Sequence, residues 1–179
     1  MARTATYVLG LGNVLMGDDG FGPAVVRAFE EQYAVASDVT VVDLGTPGLD
    51  LSPWLADAGH VVLVDTVRSD RPAGTLRVYD KDEILRYQPV ARTSPHDPGV
   101  KEALLTLEFA GRAPGAVTLV GVVPERSDMG LELSHPVQAA VPAAVAAIVS
   151  ALEAFGVTVD ARLDPLALDP WWAAPATAR

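Results

Sequence analysis

The residues able to do chemistry in this chain are few. Histidine occurs only as His60, His96 and His135, and cysteine is absent. Without cysteine there is no thiolate nucleophile, iron–sulfur cluster, Cys-ligated zinc or disulfide framework. Any metal would be held by imidazole nitrogen, carboxylate or backbone oxygen. Four carboxylates stand out by position. Asp18 and Asp19 follow a first apolar run, and Asp43 and Asp65 end a second and a third. His96 lies in Ser94-Pro95-His96-Asp97-Pro98. Several oxygens with one imidazole nitrogen suit a divalent transition metal that keeps open positions. Each residue also has a structural use. Asp18 or Asp19 can cap a helix, Asp43 and Asp65 can form turns, and His96 can order its loop. His60 is read as structural, and His135 as a surface or capping residue.

Other chemistries fail on spacing. Gly10-Leu11-Gly12 begins like a dinucleotide fingerprint, but Leu15 stands where the third glycine or alanine belongs. The lysines, Lys81 and Lys101, do not follow a glycine, so there is no P-loop. Neither a Gly-x-Ser-x-Gly elbow nor a His-Glu-x-x-His pair occurs.

The elements that must position these residues follow from periodicity. An apolar run from Ala5 to Leu9 ends in the turn signal at Gly10–Asn13. Val25, Phe29 and Tyr33 recur at helical spacing behind Pro23. Val39–Val42 reads as a strand ending at Asp43, and Val61–Val64 is a continuous apolar strand, as a parallel sheet buried on both faces requires. Residues 74–80 alternate, which predicts an edge or half-exposed strand. Val100, Leu104 and Leu107 form a helical stripe, with Asp97 as its N-cap and Pro98 in its first turn. Residues 117–123 read as a buried strand. Val137 to Phe155 read as a long helix that Pro142 either kinks or restarts. The alternation predicts an α/β three-layer sandwich, a mostly parallel twisted sheet with helices on both faces. In such a sheet ligands bind at the carboxyl ends of the strands, where Asp18, Asp19, Asp43 and Asp65 fall and where His96 is expected to reach.

A chain of 179 residues is expected to be one domain, residues 1–159, followed by a Pro-rich tail at 160–179 whose Trp171-Trp172 is able to dock on the body or a partner. The formal net charge of −10 gives no electrostatic footprint for nucleic acid or anionic lipid. Residues 4–17 lack a leader's cleavage site, and 133–152 carry prolines, a histidine and many alanines. A cytoplasmic protein that is a monomer and does not enter membranes is expected.

Gly10-Leu11-Gly12-Asn13-x-x-Met16-Gly17-Asp18-Asp19-Gly20-x-Gly22 resembles the opening motif of the hydrogenase maturation endopeptidases. The similarity continues through Asp43-x-Gly45-Thr46-x-Gly48, Val64-Asp65, Ser94-x-His96 and Leu119-Val120-Gly121-Val122-x-Pro124-Glu125. It spans roughly residues 6–157. The resemblance implies an endopeptidase that removes the C-terminal extension of a nickel–iron hydrogenase large-subunit precursor. It also implies that Asp19, Asp65 and His96 address nickel supplied by that precursor, with no metal held at rest. Some relatives carry Glu where this chain has Asp19. Asp18 or Asp43 is the candidate general base, and aspartic-type and metal-assisted chemistry both remain open. The ligands are expected at a solvent-facing edge. The rival readings are a chaperone that binds nickel or precursor without cutting, and a small-substrate zinc hydrolase.

Overall fold

The computed structural model describes residues 5–47, 51–86, 97–170 and 172. In chain order the elements are β1 (Thr6–Leu11), α1 (Phe21–Gln32), β2 (Tyr33–Val35), β3 (Val39–Gly45), α2 (Ser52–Leu55) and β4 (His60–Thr66). Then come β5 (Leu76–Asp80), α3 (Lys81–Arg86), α4 (Asp97–Phe109), β6 (Ala116–Val122), α5 (His135–Ala154) and β7 (Val159–Ala161). Five strands form the main sheet in the order β3-β1-β4-β6-β5. All of its pairs are parallel except β5 with β6. The expected α/β architecture is observed, with residues 74–80 supplying the antiparallel edge.

The alternation of buried side chains along β4 makes two cores. Val62 and Val64 join Phe21, Val25 and Phe29 of α1 and Val145 and Ile148 of α5. Val61 and Leu63 look the other way, onto Leu55 of α2 and Leu104 and Leu107 of α4. Each such side chain removed from water contributes about 1.5–3 kcal/mol, so a strand apolar on both faces is stable only between two helix layers. Helix α1 lies close on the sheet because Gly10 and Gly22 carry no side chain. A Cβ at Gly22 would run into the Leu11 and Val64 carbonyl oxygens.

Helix α5 is one helix of 20 residues that runs through Pro142. The missing amide would have bonded the carbonyl of Gln138. Both residues face solvent, where water replaces the lost bond. By length and a mean hydropathy of 1.7, α5 is apolar enough to cross a membrane. Here Val137, Val141, Ala144, Val145, Ile148 and Leu152 pack into the first core.

Tyr33 does not extend α1, as its spacing suggested. It turns extended (φ −129°, ψ 151°) and opens β2, which pairs antiparallel with β7. The boundary expected at 159/160 therefore falls inside a strand. Residues 162–168 stay on the body, with Arg162 N donating to Gln32 O, Leu166 N to Glu31 O, and Arg27 Nε to Leu168 O. Arg162 Nε also donates to the carbonyls of Glu30 and Tyr33.

Burial at this junction pushes the Glu30 carboxyl above its ordinary 4.5, and the Arg162 guanidinium offsets only part of the rise. A raised folded-state value means that the folded chain holds this proton more tightly than the unfolded one. The resulting stabilisation is fully present below the unfolded value and is lost as pH rises through the folded value. Glu30→Gln should therefore melt higher than the wild type at about pH 7 and equally at about pH 3, below the carboxylate range. A wild type that melts higher than Glu30→Gln at the neutral pH would contradict this.

Candidate functional site

Strand β1 leads through α1 to β3 on one side of it, and β3 leads through α2 to β4 on the other. Helix α1 packs in the first core and α2 in the second, so these crossovers use opposite faces. The strand order thus reverses beside β1, and a crevice opens at the carboxyl ends of β1 and β4. Gly10 sits between Asp43 of β3 and Val64 of β4 in register. Asp65 is one residue beyond Val64, and the loop carrying Asp18 and Asp19 leaves β1 two residues after Gly10. The fold brings all four carboxylates to this one edge.

The loop is held in shape from both sides. Gly12 (φ +130°) donates its N–H to Gly45 O at 2.8 Å, and Gly45 N donates to Asp43 Oδ1 at 2.8 Å. Asn13 N donates to Asp19 Oδ2 at 2.9 Å. A Cβ at Gly12 would collide with the Asp19 carbonyl oxygen, so the motif glycine permits this close approach.

Asp18 and Asp19 adjoin in sequence but have different surroundings. Asp18 is 0% exposed. Its Oδ2 accepts from Glu125 N (2.8 Å), Arg126 N (2.9 Å) and Ser134 Oγ (2.9 Å), and its Oδ1 accepts from Ser134 N (2.6 Å). A carboxylate has about four lone-pair sites, so these bonds use its capacity. Asp18 fastens the loop after β1 to the loop after β6. Neither aspartate caps α1, whose N-cap is Gly20 without a side-chain cap bond.

Asp19 is 8% and Asp65 3% exposed, so both are buried and the expected solvent-facing edge is corrected. The cause is the tight seating of the first loop against the ends of β1 and β4 and, for Asp65, the helix layer on its own face of β4. Asp65 Oδ1 accepts from Thr66 N at 2.7 Å. Asp65 follows Leu63 by two residues and so shares its face, the one covered by α4. Asp43 is half-buried, and its bond to Gly45 N is the turn use that its sequence position allowed.

His96 lies outside the described residues. The neighbouring helix α4 can be oriented. Its last residues meet the amino edge of the sheet, where Arg112 O accepts from Asp57 N. Thirteen residues rise about 20 Å, which carries the start of α4, at Asp97, to the carboxyl edge. Among the described residues no three His, Asp or Glu side chains gather closely enough to hold a metal ion. His60 opens β4 at the opposite edge, with its ring stacked on Phe155 at 4.2 Å, as a structural role requires. His135 is exposed in the first turn of α5.

This geometry has known relatives. The sequence profile of the HycI hydrogenase maturation proteases matches residues 23–151. The hydrogenase expression/formation protein HupD of Rhizobium leguminosarum bv. viciae is 35% identical over 164 residues, covering 91% of this chain and 81% of that protein. The hydrogenase 2 maturation protease of Escherichia coli (strain K12) is 34% identical over 151 residues, 84% of this chain and 92% of its own. Among solved structures, the hydrogenase maturating endopeptidase HybD from E. coli superposes with a TM-score of 0.81 at 31% identity, covering 88% of this chain and 98% of that one. With the motif-bearing loops on one sheet edge and matches over most of its length, the chain belongs to the hydrogenase maturation protease family, whose members are peptidases.

Proposed function

We propose that this protein cuts the C-terminal extension from a nickel-loaded nickel–iron hydrogenase large-subunit precursor, and that Asp19, Asp65 and His96 address the precursor's nickel. One observation carries the reading: two buried carboxylates, Asp19 and Asp65, flank the crevice at the ends of β1 and β4. Carboxylates in a crevice are suited to a cation, and one delivered by a partner brings its own remaining ligands. The start of α4 at the same edge supports His96 as the third group.

For the base we favour Asp43 over Asp18. Asp18 is enclosed and accepts four hydrogen bonds, so a proton taken up there would break the link between two loops. Asp43 is half-buried at the same edge and makes one side-chain hydrogen bond among the described residues. In this scheme nickel polarises the scissile carbonyl or activates water, while Asp43 takes the proton from the attacking water. A site of few, hard ligands holds free divalent metal weakly.

The test is a cleavage assay on purified precursor, read by mass. Nickel-loaded precursor should be shortened and nickel-free precursor left intact, while the protease itself carries substoichiometric metal. Equal cutting of both forms would refute nickel recognition. Stoichiometric zinc in the purified protein would favour the hydrolase reading instead.

A further inference from the structure

The two loops that Asp18 fastens together carry large apolar side chains turned to solvent. Met129 is 87% exposed, and Leu15 and Leu131 are about half exposed. Gly17 N donates to Gly130 O at 2.8 Å and Gly130 N to Leu15 O at 2.9 Å, and Met16 and Gly130 form a parallel bridge. These bonds bring Leu15 beside residues 129–131. A single exposed apolar residue needs no explanation. Three on adjoining loops, stapled by backbone bonds and a buried carboxylate, form a preorganised contact surface. Its rim is charged and predominantly acidic. Glu125, Asp128 and Glu132 are exposed there. The one cation among the described residues of this rim, Arg126, is engaged by Glu132 O at 3.0 Å and lies 3.9 Å from Asp128 Oδ1.

We infer that Leu15, Met129 and Leu131 form the docking surface for the folded body of the precursor, on an apolar patch of it bordered by basic residues. The inference rests on the function proposed above and assigns a recognition element to it. The occupant follows from continuity. Leu15 and Asp19 belong to one loop, so a protein whose metal reaches Asp19 lies against Leu15. Met129 is unbranched and adaptable, suited to an imperfectly matched partner surface. The acidic rim sets the sign of the partner's border.

The experiment measures binding of immobilised nickel-loaded precursor by surface plasmon resonance, with steady-state cleavage run beside it. Met129→Ser/Leu131→Ser should weaken binding and raise KM by ~10- to 100-fold, the loss for two apolar side chains no longer buried, with kcat changed much less. Asp128→Lys/Glu132→Lys should slow association about tenfold. Phe109→Ser is the control, because Phe109 is 98% exposed at the opposite edge of the sheet, and it should bind as the wild type does. Unchanged KM and affinity in the Met129→Ser/Leu131→Ser protein would overturn the inference, as would an equal loss in Phe109→Ser. If the wild type cuts no precursor, the proposed activity falls, while the binding data still judge the surface separately.

Discussion

Asp65→Asn is expected to slow precursor cleavage by about 10³-fold or more, because fixing and balancing a metal's charge supplies several kcal/mol and each ~1.4 kcal/mol is tenfold. The same loss is expected for Asp19→Asn. Asparagine is the informative replacement at both positions. The side chains are buried, so alanine would open a gap and mix a folding defect with a chemical one. Asn keeps the volume and one carbonyl oxygen, which can still accept from Thr66 N in one case and Asn13 N in the other. What it removes is the negative charge. Melting temperatures should stay within a few degrees of the wild type, of the order of 1 kcal/mol in a domain of this size. Asp19→Glu should retain cutting, since the resemblance places Glu there in other members. Folded Asn variants that cut at more than about a tenth of the wild-type rate would remove both residues from nickel recognition.

Asp18→Ala is expected to act on stability, at a cost of about 3–5 kcal/mol, the range for breaking a buried charged network. Four donors lose their acceptor together, and Ser134 N and Oγ are enclosed where water is least able to replace it. Asp18→Asn should be nearly as harmful, because an amide turns two donor hydrogens toward groups that are themselves donors. Urea unfolding should show a lowered midpoint at an unchanged slope. The midpoint of Asp19→Asn, one residue along, should move far less. Equal midpoints for Asp18→Ala and the wild type would mean that the two loops hold together without this carboxylate.

The sheet was readable in advance because Val39–Val42, Val61–Val64 and 117–123 are short runs rich in β-branched residues, and Val61–Val64, apolar on both faces, is stable only between two helix layers. The longer helices were readable from their stripes. Three short elements were not: β2, α3 and β7. Strands of three residues and a helix of six are too brief to show a period. They exist because tertiary contacts hold them, β2 and β7 by pairing with each other across most of the chain. This is why Tyr33 looked helical and why residue 160 looked like the start of a tail.

For the site, the sequence by itself determined which residue types were available and the edge to which they go. The absence of cysteine limited the donors, and the strand ends put Asp43 and Asp65 beside the loop of Asp18 and Asp19. The glycines at 10, 12 and 22 were legible as a motif, though not as the close backbone approaches they permit. Only the tertiary structure separated Asp18 from Asp19. The two are adjacent and identical in type, and the partners of Asp18 lie more than 100 positions away, at Glu125, Arg126 and Ser134. No local pattern records such distant donors. Burial was decided in the same way. Asp65 looks like an ordinary turn former at a strand end until the first loop seats at the ends of β1 and β4 and the helix layer of α4 covers its face of the sheet.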